Sequence, residues 1–549
     1  MSHWIITPIL LPTLLGAFIV LAVRHQVALQ RVFSLVGLSL LLINAIGLFV
    51  HANTGDIWVY ELGAWPAPFG IVLMLDRLSA LMVLLTAVLA MCVMLYAIGS
   101  DWDKRGKHFH ALFQFQLMGV LGAFLTGDAF NMFVFFEILL IASYGLMTFG
   151  GGTRRLQAGT QYVIYNLLGS TLFLFALGTL YNVTGTLNMA DMGARVAAMD
   201  PEHASLLRVG AVMMLMVFAV KAAILPLHFW LPESYAAGPA PVAALFAIMT
   251  KVGAYAILRM FTLVFPQDAP AIAGSYDVWL MPVIVLSLAV GMIGILGAKT
   301  LSKMVAFAAI GSVGTLLIAI ALFTPEASAA AVYYVVHSTL ATAALFLIVD
   351  LVVSRRPQWQ DAIRADRPMP QNGLVSAFYF AAAIAMAGMP PLSGFLGKLL
   401  ILDAATGQWW IWAAVLITSL IAIMGFGRAG SLVFWKGYGL PETDAPAFDH
   451  PKQPLAFVAI GALMAGVVAL TVLAGPMHRF AIVTASQLYD SEAYVSAVLN
   501  NATSESMAHD SSHEKEGTEG ADTNEGLLDT EGGAHGTEHP AKATEGEAH

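Results

Sequence analysis

Apolar runs dominate this chain, and polar residues cluster in the short gaps between them. Runs long enough to cross a bilayer, about 20 residues each, begin near residues 4, 30, 73, 110, 128, 158, 204, 238, 276, 301, 327, 373, 408 and 453. The pattern predicts fourteen transmembrane helices and an all-α polytopic membrane protein. A closed barrel is the competing spanning structure, but its strands would read as segments of roughly ten residues alternating in hydrophobicity. No such alternation is visible.

Four ionisable residues interrupt this pattern deep inside apolar segments. Lys221 stands in LRVGAVMMLMVFAVKAAILPLHFW, Lys251 in VAALFAIMTKVGAYAIL, Lys398 near the end of AIAMAGMPPLSGFLGKLLIL, and Glu137 in AFNMFVFFEILLIASYGLM. Each costs at least a few kcal/mol in hydrocarbon unless a partner or water receives it, so intramembrane ionisable residues point to function. Together they suggest a proton path across a membrane. Burial disfavours the charged form of an amine and a nearby carboxylate favours it. Opening and closing a Glu137–Lys221 pair would therefore change the affinity of Lys221 for a proton, and Lys251 would respond through coupled titration. A fixed salt bridge holding helices together is the alternative for Glu137 and Lys221, and it supplies no partner for Lys251 or Lys398. Asp350 and Asp403 lie near helix ends and are expected to be surface groups outside the path.

Prolines mark the next layer of organisation. Pro226 follows Lys221 by five residues, and Pro390 with Pro391 precede Lys398. A proline inside a helix removes a hydrogen bond and clashes with the preceding turn, so the seventh and twelfth segments should be broken. Paired broken segments in corresponding halves are a signature of transporters built from inverted repeats. The offset from Pro226 to Pro390 is 164 residues, which aligns residues 110–265 with 276–436 as two five-helix repeats. The expected organisation is then three leading helices in 1–109, these two repeats, a last helix with its flanks in 437–500, and a tail in 501–549.

Composition and charge refine this reading. Hydrophobic residues make up 58% of the chain and charged residues 11%, against roughly a quarter charged in soluble domains. The formal charge of -9 resides in the tail, where residues 502–549 hold twelve acids and two lysines, leaving 23 acids against 24 bases elsewhere. Such a tail, almost without large apolar residues, is expected to be disordered. Its irregularly spaced His509, His513, His535 and His539 do not define a metal site. Cys92 is the single cysteine, which excludes an intrachain disulfide and reads as a small buried hydrophobe. The first apolar run lacks a basic leader and a small-residue cleavage pattern, so it is expected to be retained. Fifteen Lys and Arg fall in one set of loops, including Arg105, Arg154, Arg155, Arg355 and Arg356. The positive-inside rule then places both termini outside the cytoplasm. No phosphate loop, nucleophile elbow or metal-ligand spacing stands out, so no cofactor, metal or nucleic acid is expected. Energy must come from an ion gradient or a partner, and each charge crossing 100 mV is worth roughly 2.3 kcal/mol.

Two long motifs, KAAILPLHFWLPESYAAGPAPVAALFAIMTKVGAYAILRM at 221–260 and AGMPPLSGFLGK at 387–398, carry a family resemblance. They resemble the proton-translocating, antiporter-like membrane subunits shared by respiratory complex I and the Mrp cation/proton antiporters. The resemblance covers roughly residues 70–440. VALQRVFSLVG, GAWPAPFGIVLMLDRLSALM and a chain stopping after fourteen segments make it most similar to the D-type members of the Mrp branch.

The resemblance implies roles. Glu137 and Lys221 match the family's charge pair, Lys251 the central relay position and Lys398 the terminal one. His337 matches a polar position bridging the last two, and its unperturbed pKa near 6.5 suits a relay; a plain interhelical hydrogen bond is its other reading. His228, past the first break, either solvates the opened backbone or takes part in transfer. The implied function is a proton-translocating subunit of a multi-subunit monovalent cation/proton antiporter in a bacterial cytoplasmic membrane, working with other subunits and exchanging protons for a monovalent cation, Na+ foremost. A proton-pumping subunit of complex I or of a membrane-bound hydrogenase is the alternative, and a scaffold whose charges only orient helices is a third.

Overall fold

The computed structural model describes residues 2–439 and 452–500; the expected tail at 501–549 lies outside the described residues. Helices α1 (Thr7–Leu21) and α2 (Val27–Ala52) lead into a hairpin of β1 (Trp58–Glu61) and β2 (Val72–Leu75). Next come α3 (Arg77–Gly99), α4 (Phe109–Leu125), α5 (Ala129–Met147), α6 (Thr153–Thr184) and the short α7 (Met189–Ala197). The first broken segment consists of α8 (Ser205–Ala222) and α9 (Trp230–Ala237), followed by α10 (Ala240–Leu245) and α11 (Met249–Leu263). Helices α12 (Asp277–Gly297), α13 (Leu301–Ala321) and α14 (Pro325–Arg355) precede the second broken segment, α15 (Asn372–Ala387) and α16 (Ser393–Ala404). The described chain continues with α17 (Trp409–Gly430), α18 (Pro454–Val472) and α19 (Ala474–Tyr489), and residues 491–500 are again helical.

Among the described residues, eleven helical spans are long and apolar enough to cross a membrane, with α10 and α11 counting as one; α1, α4 and α15 are shorter apolar helices. The chain is a multi-pass helical membrane protein. The hairpin corrects the expectation of a helix from residue 73. Residues 72–75 pair antiparallel with 58–61, Trp58 opposite Leu75 and Glu61 opposite Val72. Helix α3 starts only after Asp76, whose side chain accepts from the Ser79 amide at 2.8 Å while Ser79 Oγ accepts from the Asp76 amide at 2.9 Å. That reciprocal cap satisfies two amides no helical carbonyl reaches. Helix α19 is a further addition to the expected set, because His478 and Arg479 interrupt its apolar pattern.

Both proline-marked breaks are present. Helix α8 ends at Ala223 in the left-handed region (φ 56°), and α15 ends at Gly388 (φ 78°), the backbone that favours glycine. The freed polar groups of the first break find partners, as backbone at membrane depth requires. Ser287 Oγ of α12 accepts from the Leu225 amide at 2.8 Å, and Trp230 Nε1 donates to the Val220 carbonyl at 3.0 Å. A further interruption separates α10 from α11, just before Lys251.

Close backbone contacts set where the helices meet. A Cβ on Gly253 of α11 would lie 2.7 Å from the Ala222 amide nitrogen and 3.0 Å from the Phe218 carbonyl, so α8 and α11 touch backbone to backbone. Small residues allow this approach in membrane helices. Gly394 and Gly397 bring α16 close to its neighbours: an added Cβ at 394 would run into the Ala385 carbonyl of α15 and meet His337 Nε2 of α14 at 2.7 Å, and one at 397 would meet Tyr334 Cδ2 at 2.7 Å. Gln487 of α19 accepts from the Arg77 amide and donates to the Gly55 carbonyl, and His3 packs edge-on to Tyr60. The N-terminal residues, the hairpin, the start of α3 and the end of α19 thus share one face, termed the terminal face below.

Candidate functional site: a file of buried lysines

Glu137 on α5 and Lys221 on α8 make no direct ion pair, and α6 stands between them. Ser170 of α6 donates to Glu137, while Asn166, one turn earlier on the same face, accepts from Lys221 Nζ at 3.4 Å. Asn166 is itself oriented by donating to the Tyr162 carbonyl at 2.8 Å. Lys221 also lies 5.9 Å from the Phe136 ring centroid, on the helix of Glu137. It sits at the C-terminal end of α8, where the helix dipole favours a cation. Each charged group therefore meets a neutral side chain of α6, Ser170 for the carboxylate and Asn166 for the amine, that the sequence alone does not single out. Their signal is an Asn and a Ser four apart in an apolar helix, and only packing gives it meaning.

A small cavity of about 10 Å³ beside Lys221 is lined by Asn166 and Trp230 and by Met249 and Val252 of α11. Helix α11 then presents Lys251 to a second cavity of about 20 Å³, walled by Leu316 and Ile320 of α13 and by Val332 and Val335 of α14. Lys251 is 0% exposed, and its Nζ has no hydrogen-bond partner among the described residues. An amine so placed gains nothing from packing that an apolar side chain would not supply better, and it keeps all its donors free.

Helix α14 also carries His337, fully buried, whose Nδ1 pairs with Ser393 Oγ at 2.9 Å across the start of α16. Its Nε2 has no partner among the described residues. One turn and a half along α16, Lys398 Nζ donates to the Ala387 carbonyl at 2.9 Å and to Ser419 Oγ at 2.8 Å. Ala387 ends α15, so this lysine caps a carbonyl left open by the second break. The LSGFLGK stretch has a local logic: serine meets the histidine, two glycines admit α16 against α14, and the lysine returns to the break.

One expectation needs correction. Asp350 is not a surface group: it is buried, and its Oδ2 accepts from Tyr96 OH and Trp102 Nε1, both at 2.8 Å. Helix α3 and the turn after it cover this end of α14, which no local pattern announces. Asp403 is exposed. The backbone opened at the first break is satisfied by Ser287 and Trp230, whereas His228 is buried with its Nδ1 unpaired. Cys92 is buried and free.

Comparison with known proteins places this geometry. The family described as NADH:quinone oxidoreductase/Mrp antiporter, transmembrane, matches residues 126–423, a stretch containing Glu137, Lys221, Lys251, His337 and Lys398. The chain belongs to this family of Mrp antiporter and NADH:quinone oxidoreductase membrane subunits. Within the family it is of the D type. It is 36% identical to the D-type subunit of a probable K(+)/H(+) antiporter of Rhizobium meliloti, over 89% of this chain and 96% of that one. The D-type subunit of the Na(+)/H(+) antiporter of Bacillus subtilis is 38% identical over 82% of this chain and 90% of its own. In the Mrp complex from a Dietzia species, one chain superposes with a TM-score of 0.80 at 25% identity, covering 91% of this chain and all of that one.

Proposed function

We propose that this chain is the proton-translocating membrane subunit of a multi-subunit monovalent cation/proton antiporter, a transporter component rather than an enzyme. Its D-type relatives and their Mrp assembly support that reading. Protons move along Glu137, Lys221, Lys251, His337 and Lys398, and the observation that carries this is the buried amine of Lys251, without a partner among the described residues, on the helix that touches α8 beside Lys221 and facing a cavity shared with α14. Asn166 and Ser170 transmit the state of Glu137 to Lys221. A cation entering or leaving elsewhere in the complex drives the exchange, since a site that alternates between two proton affinities needs a second ion or partner to bias it. Fourteen crossings with two inverted five-helix repeats at 110–265 and 276–436 accommodate both breaks. Both termini face away from the cytoplasm of a bacterial cell, and Na+ is the first cation to test, because relatives bear both sodium and potassium names.

Inverted membrane vesicles containing the complete assembled complex, in a host without other antiporters, test this directly. Added NaCl, KCl or LiCl is expected to dissipate a respiration-generated pH gradient with at least one of the three. A fully assembled complex that responds to none would reassign the chain to a redox-driven proton pump.

A further inference from the structure

The cavity at Lys251 points somewhere the relay does not use. Lys251, Ala254, Tyr255 and Leu258 of α11 line it, a stripe at helical spacing that runs towards the terminal face. The same stripe continues with Phe261 and Thr262, which line a separate cavity of about 600 Å³ at the terminal face together with Asp268, Tyr489 and Ser491. Two further elements repeat the arrangement. Leu316 and Ile320 border the inner cavity and Phe323 and Thr324 the outer one, while Val332 and Pro325 of α14 divide in the same way. On α11 the gap from Leu258 to Phe261 is three residues, about 4.5 Å of helix rise.

Arg259 follows Leu258 on this helix and reaches the wall of the inner cavity through Tyr255. Its Nη2 lies 2.6 Å from Asp76 Oδ2, both side chains nearly excluded from solvent, and 3.5 Å from Tyr255 OH. Tyr255, which lines the inner cavity, donates to the Phe124 carbonyl at 2.7 Å. On the far side, Arg259 faces the ring of Tyr494 at 5.5 Å, and the Tyr494 hydroxyl is buried without a partner among the described residues. A fixed guanidinium beside a proton path raises a barrier to the proton, as in other pores where arginine excludes protons. The inner cavity has room for about one water molecule, enough to connect the lysine to Tyr255.

We propose that the Arg259–Asp76 pair is the closed gate of a proton passage between Lys251 and the terminal face. This rests on Lys251 being the central relay group, and it adds a route out of the relay that bypasses Lys398. Arg259 acts by position and charge, not by carrying the proton.

The test uses the complete complex in inverted vesicles with passive proton permeability measured after respiration is stopped and no cation is added. The matched neutral variant Arg259→Gln with Asp76→Asn keeps the cap of α3 and a hydrogen bond across the gap. It is expected to leak protons severalfold faster than wild type, while Arg259→Lys, which keeps the charge, stays tight. Adding Lys251→Ala to the neutral pair should abolish the leak. An assembled neutral pair as tight as wild type overturns the gate, and so does a leak that survives Lys251→Ala, since it then bypasses the lysine. If the neutral pair does not assemble, Asp76→Asn alone decides: it leaves an uncompensated charge in the passage and should slow cation-dependent flux, and unchanged flux overturns the proposal. Lys251→Ala in the otherwise wild-type complex reports on the relay separately, because cation-dependent flux surviving there removes the relay whatever the gate variants do.

Discussion

Alanine at Gly388 is expected to cut cation-dependent proton flux by about tenfold or more in complexes that still assemble. Two costs coincide there. The residue has φ 78°, a left-handed backbone that costs a non-glycine residue about 1–2 kcal/mol. A Cβ would also stand 2.6 Å from Lys398 Cδ, too close to hold, and 3.0 Å and 3.1 Å from its Cε and Nζ, so the lysine side chain must shift. Lys398 would then leave the Ala387 carbonyl and Ser419. Each 1.4 kcal/mol of misplacement is tenfold in the population of the working arrangement. Vesicle flux beside a native-gel assay of assembly separates this from misfolding. Ser419→Ala, which removes one hydrogen bond without strain, should give a smaller loss in the same direction. Wild-type flux from an assembled Gly388→Ala complex would mean that the position of Lys398 is irrelevant to transport.

Asn166→Asp is expected to be the most damaging near-isosteric change on α6. The neutral amide now sits 3.4 Å from Lys221 Nζ, a long contact that parts easily. A carboxylate in the same place would hold the lysine protonated with roughly 4 kcal/mol of Coulomb attraction at an effective dielectric of 20, equivalent to about three decades in an equilibrium constant. A lysine that does not release its proton blocks the path. Flux should fall below about a tenth of wild type while assembly and thermal stability are maintained. Glu137→Gln added to Asn166→Asp should change little, because the control that Glu137 exerts through Ser170 and Asn166 has already been overridden. Unimpaired flux in Asn166→Asp would show that Lys221 is not a loading site.

Local patterns carried much of the architecture and only part of the site. Apolar runs showed a multi-pass helical membrane protein, and Pro226 and Pro390 located both breaks, because a proline acts on its own turn. The capped start of α3 was equally local in origin, yet the apolar VLML of β2 hid it, since four apolar residues read alike in a strand and in a helix. The lysines stood out because charge in an apolar run is anomalous wherever the helix packs. What they touch did not stand out. Asn166 and Ser170 met Lys221 and Glu137 only when α5 and α8 flanked α6. Asp350 lost its surface position because α3 and Trp102 cover the end of α14, and Arg259 found Asp76 across 183 residues of chain. Whether Glu137 and Lys221 touch was not legible for the same reason: distance between helices is set by packing, which no single helix encodes, and each of the two meets α6 instead.

The buried amine of Lys251 is the centre of the account, and one comparison tests it most directly. Cation-dependent proton flux is measured in inverted vesicles holding the complete complex, wild type against Lys251→Ala, with subunit levels and assembly matched. Alanine removes from an apolar wall an amine that has no partner among the described residues, so the helix bundle should keep or gain stability while the flux disappears. Flux that persists in an assembled Lys251→Ala complex would contradict the relay.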